Sequence, residues 1–157
     1  MKNPFKNTNV VLGVTGSIAA YKAVDLASKL TQAGALVDVI LTHGAERFLT
    51  QLTFSSITQR PVFTEIFDIN SDMSIEHVAL ARRADVVVVA PVTAHTIAKM
   101  ANGMADDMLT TTLLATEAPV VIAPAMDANM SEHPAVRENF ETLHRRGVTI
   151  VGPAPGR

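Results

Sequence analysis

Five short runs rich in aliphatic residues, without regular alternation, constrain this chain more than any other feature. They are Asn9 to Val14, Val37 to Leu41, Asp85 to Ala90, Pro119 to Ala123 and Val148 to Val151. A strand with one wet face alternates apolar and polar residues. An uninterrupted Val/Ile run predicts a strand covered on both faces, as in a parallel sheet. Between the runs lie helical patterns. Ser17 to Gln32 carries Ile18, Tyr21, Ala23, Leu26, Ala27 and Leu30 at helical spacing and meets a stop signal at Gly34. Further helices are predicted at Ile75 to Arg83, Thr93 to Ala101, Ala105 to Thr116 and Pro134 to Arg145, the last closed by Gly147. Strand and helix alternate, which predicts an open, doubly wound α/β fold of three layers. Only Leu49 to Asp72 resists the pattern; it reads as a short helix plus an irregular connection.

Size and charge narrow the function classes. The 157 residues favour one domain, residues 1–157, with no repeat and no Gly/Ser linker to divide them. A formal net charge of -2 supplies no basic field for nucleic acid or an anionic membrane. No apolar run approaches the roughly 18 residues of a membrane helix, and no signal-peptide stretch opens the chain. The absence of cysteine excludes disulfides, thiolate metal sites and a cysteine nucleophile, and a cytoplasmic location is expected. With 48% apolar and 18% charged residues, the composition leans oily, which is compatible with surface buried between subunits.

In open parallel sheets, ligands bind outside the carboxyl ends of the strands. The segments that follow the runs are Thr15-Gly16-Ser17, Thr42-His43-Gly44, Pro91-Val92-Thr93-Ala94-His95-Thr96 and Pro124-Ala125-Met126-Asp127. All combine small, hydroxylated or turn-forming residues, which points to one shared ligand site. Gly13 and Gly16 allow a tight bend, and Ser17 stands where a helix cap also offers a hydroxyl to a phosphate. The third glycine of the dinucleotide fingerprint is absent, so a mononucleotide phosphate suits the turn better than a pyrophosphate. A plain capped turn is the competing reading.

Other polar residues have ordinary explanations. Pro91 is expected to stop its strand and Thr93 to cap the next helix. Asp106 and Asp107 stand at a predicted helix start, where the dipole favours acids, so they are read as structural. Asp127, between Met126 and Met130, is either a turn former and N-cap or a polar group edging an apolar pocket; sequence pattern leaves both open. No pair of the five histidines has the i, i+4 spacing of a zinc site, so no metal is expected. On pattern alone His77 is a surface or packing residue.

Four segments together carry a resemblance: GVTGSIAAYK, HVALARRADVVVVAP, TAHTIAKMANGMADDML and PAMDANM. In order and at natural spacing, over nearly the whole chain, they resemble the flavin-dependent cysteine decarboxylases. The nearest likeness is to the branch that decarboxylates phosphopantothenoylcysteine in coenzyme A biosynthesis. The resemblance implies a Rossmann-like sheet, bound FMN, and self-association as a trimer or a dodecamer with sites between subunits. It implies that Gly16, Ser17 and Ile18 hold the phosphate side of FMN. Thr42, His43 and Gly44, then Thr93, Ala94, His95 and Thr96, with Ala125, match its other contacts. His77 matches the catalytic histidine, which replaces the packing role. Asp127, with Met126 and Met130, falls on the substrate-binding segment.

The implied chemistry oxidises the substrate's cysteine thiol to a thioaldehyde at the expense of FMN. Carbon dioxide then leaves, and the resulting enethiol is reduced to phosphopantetheine. Two positions depart from the family pattern. Many members carry asparagine where Asp127 stands, and many carry a cysteine on a substrate-clamping flap beyond the last strand. This chain reaches GPAPGR without one, so either the flap lies outside the chain or a cysteine-free version operates. A fused phosphopantothenate–cysteine ligase domain is an expected partner. The alternatives within the resemblance are a peptidyl-cysteine oxidative decarboxylase, an FMN prenyltransferase and a non-catalytic flavin-binding regulatory subunit.

Overall fold

Six parallel strands form one sheet in a computed structural model that describes residues 3–65 and 73–152. The strands are β1 (Asn9–Val14), β2 (Leu36–Leu41), β3 (Val62–Phe63), β4 (Val86–Val92), β5 (Val120–Pro124) and β6 (Thr149–Ile150). Their spatial order is β3-β2-β1-β4-β5-β6. The chain therefore winds outward from β1 to one edge, crosses over, and winds outward again from β4. The reversal of strand order lies between β1 and β4, where Val10 to Gly13 pair with Val86 to Val89.

Strands β1 and β2 are buried on both faces, whereas β4 buries every second residue and leaves Val86, Val88 and Ala90 half-buried. Val10, Leu12, Val37, Val39 and Leu41 pack with Ala23 and Ala27 of α1 (Tyr21–Gln32) and Phe54 of α3 (Gln51–Thr58). Val11 and Ile40 point the other way. They join Leu80 of α4 (Met73–Arg83), Ile97 of α5 (Ala94–Asn102), Met108 and Leu109 of α6 (Met108–Ala115) and Leu143 of α8 (Pro134–Arg145). The expected three-layer, doubly wound α/β architecture is observed. The predicted span of α8 matches the observed one, and α1 ends before Gly34, whose φ of 96° suits glycine.

The differences have local causes. The segment from Leu49 contains α3 and also the two-residue strand β3, which pairs with Val39 and Ile40; two residues after Pro61 are too short to show a run. Residues 66–72 of that segment lie outside the described residues. Pro91 does not stop its strand. β4 passes through it to Val92 by a register shift between Val89 and Val92, where the missing N–H breaks no ladder pairing. Asp85 lies just ahead of β4 and accepts the Asn9 N–H at 2.7 Å on Oδ2. Asp107 caps α6 instead of lying within it, and Ser17 caps a 3₁₀ turn (Ile18–Ala20) that leads into α1. Helices α2 (His43–Glu46) and α7 (Ala128–Glu132) are too short for periodicity to reveal.

Among the described residues the buried polar set is Thr15, Asp38, Thr58, Thr96, Thr110 and Thr112, and Asp38 is its charged member. The central core carries the stability of the sheet. Leu12→Ala, at a fully buried position of β1, is expected to cost about 2–5 kcal/mol in denaturant unfolding. Leu114→Ala, at a position 65% exposed, is expected to change it by no more than about 0.5 kcal/mol.

Candidate functional site

The carboxyl ends of β2, β1, β4 and β5 form a continuous rim, because their loops are bonded to one another. At the centre is Thr15, the residue after β1. Its hydroxyl donates to the Pro91 carbonyl at 2.8 Å and accepts the Thr93 N–H at 3.0 Å, and its own N–H donates to Pro91 O at 3.3 Å. Thr15 is 1% exposed, so these bonds are made without competition from water. They join the β1 and β4 loops across the point where strand order reverses.

The flanking loops are tied just as closely. Thr42 N donates to Val14 O at 3.1 Å, and Ala125 N donates to Val92 O at 3.1 Å. Between the β1 and β2 loops, backbone meets backbone. A Cβ on Gly16 would lie 2.7 Å from Gly44 Cα, and one on Gly44 would lie 3.1 Å from Gly16 Cα. Both positions therefore require glycine for closeness. The result is a shallow backbone cradle with no side chain between its walls.

Each loop ends by capping a helix. Ser17 Oγ accepts from Ala19 N at 3.1 Å, Thr42 Oγ1 from Ala45 N at 3.2 Å, Thr93 Oγ1 from Thr96 N at 3.3 Å, and Asp127 Oδ1 from Met130 N at 2.9 Å. Four helical starts thus face one edge of the sheet, which makes that edge favourable to negative charge. The hydroxyls differ in what remains to them. Thr42 Oγ1 also donates to Val14 O at 3.4 Å and Thr93 Oγ1 to Thr96 Oγ1 at 3.3 Å, whereas the Ser17 bond uses only a lone pair.

The structure gathers the sequence-predicted positions on this rim. Gly16, Ser17 and Ile18 form its centre, Thr42, His43 and Gly44 one flank, and Thr93, Ala94, His95 and Thr96 with Ala125 the other. Thr96 is buried, while Ile18 is 80% exposed and His43 and His95 face solvent. His43 Nε2 stands 3.3 Å from Glu65 Oε1. On the β5 loop, Met126 packs against the core, Met130 is exposed, and Asp127 is the exposed cap of α7. His77 lies on none of these loops; it is half-buried in the second turn of the crossover helix α4. Sequence reasoning did not single out Thr15; its signal was a hydroxyl in the first position after a buried run.

Behind the rim, α5 is pinned to the start of α6. Lys99 Nζ stands 2.8 Å from Asp106 Oδ1 and 3.3 Å from Asp107 Oδ2, while Asp107 caps α6 with a capping box. Burial opposes the Lys99 charge, but the two carboxylates outweigh it and hold the ammonium above its ordinary pKa. The Lys99 hydrogen bond holds the Asp106 carboxyl below its own. Both acids are structural, as the sequence predicted. A cavity of about 190 Å³, lined by Met100, Met104, Leu113, Val120, Leu143 and Val148, lies between α5, α6 and α8. It includes none of the predicted site residues, and its cations are engaged: Lys99 with the two acids and Arg146 Nη1 with Met100 O at 3.4 Å. Among the described residues, no group of three or more His, Cys, Asp or Glu side chains is placed to hold a metal ion, and no helix is long and apolar enough to cross a membrane.

Residues 2–156 match the family described as Flavoprotein. The chain belongs to the flavoprotein family. This flavoprotein is 51% identical over 150 residues to the coenzyme A biosynthesis bifunctional protein CoaBC of Bacillus subtilis (strain 168), covering 96% of the chain and 37% of that protein. It thus spans little more than a third of the length of the curated relatives it matches. Among solved structures it superposes on the FMN-dependent cysteine decarboxylase TvaF from thioviridamide biosynthesis with a TM-score of 0.88. That match has 33% identity and covers 93% of this chain and 90% of that one. A PPC decarboxylase variant complexed with pantothenoylaminoethenethiol superposes with a TM-score of 0.81 at 29% identity, covering 95% of this chain and 84% of that one.

Two outcomes follow from this geometry. Thr15→Val, which keeps the shape and deletes both hydroxyl bonds, is expected to destabilise the flavoprotein by about 1–3 kcal/mol in denaturant unfolding, while Thr15→Ser restores most of the loss. The Lys99–Asp106 pair contributes only while both groups are charged. Because the Asp106 pKa is depressed, that contribution is present above the ordinary carboxylate value and disappears as pH falls through the folded-state value. Asp106→Asn should therefore lower the melting temperature at pH of about 7, with the difference shrinking as pH falls below the ordinary carboxylate range.

Proposed function

We propose that this chain binds FMN along the carboxyl rim of its sheet and decarboxylates 4'-phosphopantothenoylcysteine to 4'-phosphopantetheine. In this reading, residues 1–157 are one FMN-binding decarboxylase domain, part of a longer bifunctional protein of coenzyme A biosynthesis that also carries a phosphopantothenate–cysteine ligase domain. The observation that carries the reading is the glycine-on-glycine cradle of Gly16 and Gly44 beneath capped helical starts, in a chain half identical to a CoaBC protein.

The residues present fit the cofactor. A phosphate at the β1 turn meets backbone N–H groups and the Ser17 hydroxyl, whose proton the helix cap leaves available to donate. The absence of any Cβ at Gly16 and Gly44 lets the β1 and β2 loops close on each other, which fixes the backbone that the cofactor would meet. Thr42, His43, Thr93, Ala94, His95, Thr96 and Ala125 line the remainder of the rim, and Ile18 covers its outer side. When bound, FMN supplies a two-electron acceptor for the thiol-bearing carbon, which allows the neighbouring carboxylate to leave as carbon dioxide, and returns the two electrons to the product.

The chain's own groups supply orientation and proton movement. His77 takes the proton displaced as the thiol-bearing carbon is oxidised; an imidazole has one nitrogen to accept a proton and one to donate. Asp127, with Met126 and Met130, edges the substrate. Asp127 also caps α7, accepting the Met130 N–H on Oδ1, which fixes the segment that edges the substrate. Exposed Ile18, Tyr21, Phe48 and Leu52 support self-association, as a trimer or a dodecamer of trimers, that covers the β1 and β2 side of the rim. A second reading, oxidative decarboxylation of a peptidyl cysteine, draws on the likeness to TvaF, an FMN-dependent cysteine decarboxylase.

The test is anaerobic mixing of the full-length, FMN-loaded protein with phosphopantothenoylcysteine. Release of carbon dioxide with phosphopantetheine as product is expected. Turnover that stops at an enethiol with the flavin bleached, and only on peptide substrates, selects the second reading. A colourless protein that refuses micromolar FMN overturns both, and a yellow protein inert to every thiol substrate is a regulatory flavoprotein. His77→Asn is expected to retain FMN and to lose carbon dioxide release by about 100-fold or more.

A further inference from the structure

The interior charge at Asp38 has no part in the site described so far. Its carboxylate, 2% exposed, lies in β2 on the same face as Ile40 and accepts from two guanidinium groups. Arg60, beyond the end of α3, donates from Nε to Oδ1 at 2.9 Å and from Nη2 to Oδ2 at 3.4 Å. Arg83, the last residue of α4, donates to Oδ2 from Nη2 at 3.0 Å and from Nε at 3.3 Å. The hydrophobic cluster on this face of the sheet includes Val11, Ile40, Leu80 and Phe63. A buried ion cluster is a poor way to gain stability, because desolvation offsets most of the attraction. What it does well is fix position: apolar side chains allow a helix to slide, whereas a two-pronged guanidinium on a rigid strand does not.

The helix so fixed is the one that carries His77. Helix α4 crosses from β3 to β4, both parallel, so it runs antiparallel to the strands and its first turns lie toward their carboxyl ends. From Arg83 back to His77 is a rise of about 9 Å along the axis. The same rise along β2 from Asp38 covers about three residues, which reaches Leu41, level with the rim. Thr116 Oγ1, donating to Ala81 O at 2.9 Å, holds the same helix end from the α6–β5 connection.

We propose that Asp38 and Arg83 are positioning residues for His77: their ion pair sets the axial register of α4 on the sheet and thereby the height of the imidazole at the rim. This rests on the decarboxylase reading only for the catalytic consequence; the placement of the ring is testable without it. The pair Asp38–Arg60 holds α3, which carries no site residue, so it supplies the control.

Arg83→Met and Arg60→Met are compared in the full-length, FMN-loaded protein. Each removes one guanidinium and leaves the carboxylate paired with the other, and both arginines are partly exposed, at 42% and 30%, so neither change should unfold the chain. The ring resonances of His77 are followed by nuclear magnetic resonance alongside turnover. Arg83→Met is expected to move the His77 signals and to lower kcat by about 10- to 100-fold, with KM and FMN affinity within about threefold. Arg60→Met leaves the His77 signals in place and turnover within about threefold, and Arg83→Lys recovers part of the loss, since a single ammonium restores the charge but not the fork. Equal effects of the two methionine variants, on signals or on turnover, overturn the proposal and leave the cluster merely structural; so does Arg83→Met with unmoved His77 signals. A native protein that ignores phosphopantothenoylcysteine overturns the functional reading alone, because the His77 resonances still decide the positioning role.

Discussion

The hydroxyl of Thr15 is the interaction on which the rest of the site depends. A doubly wound sheet must reverse its strand order somewhere, and at that place two strand-end loops part to opposite faces. Left unbonded, the loops after β1 and β4 would have independent freedom, and any site between them would have to order them on binding. Thr15 removes that cost in advance. One buried oxygen donates to the β4 loop and accepts from it, so the two loops behave as one piece.

The neighbouring loops extend that piece outward by different physics. Gly16 and Gly44 interlock by the absence of side chains, and Ala125 joins by a backbone bond to Val92. Capping does the rest: each loop passes its last side chain to a helix start, so the helices are held at their functional ends. The distribution of work is uneven in a useful way. Thr42 and Thr93 spend both lone pair and proton on the scaffold, while Ser17 keeps a proton for a ligand. Under the proposed reading, a phosphate here needs both rigid support and an available donor, and this rim would supply them from different residues.

The Asp38 cluster extends the same reasoning to the crossover helix. A site composed only of strand-end loops would be aligned by the sheet itself. One that also takes a histidine from a helix needs that helix indexed to the sheet. Apolar packing between Leu80 and the strands supplies adhesion without register, and a carboxylate on β2 supplies register at some cost in stability. The cavity between α5, α6 and α8 illustrates the converse. Its walls are largely apolar, Lys99 is paired with two acids and Arg146 bonds a backbone carbonyl, and none of the rim residues lines it.

Much of the fold was legible because its causes are local. Short Val/Ile-rich runs bounded by turns favour strands of a buried sheet, and their alternation with helical patterns leaves few topologies. The strand-end loops were legible for the same reason, since hydroxyl and glycine residues at those positions have local work as caps and turns. Elements of two to five residues, β3, α2 and α7, were not, because nothing that short shows a period. Neither was the passage of β4 through Pro91, which depends on a partner strand tolerating a register shift. What sequence alone determined is therefore the layered α/β architecture and the set of loops that would carry function. The tertiary structure alone decided that Thr15, Gly16 and Gly44 weld those loops together, and that Asp38 fixes the helix bearing His77. Hydrogen bonds and close approaches between residues tens of positions apart leave no mark on the chain until it is folded.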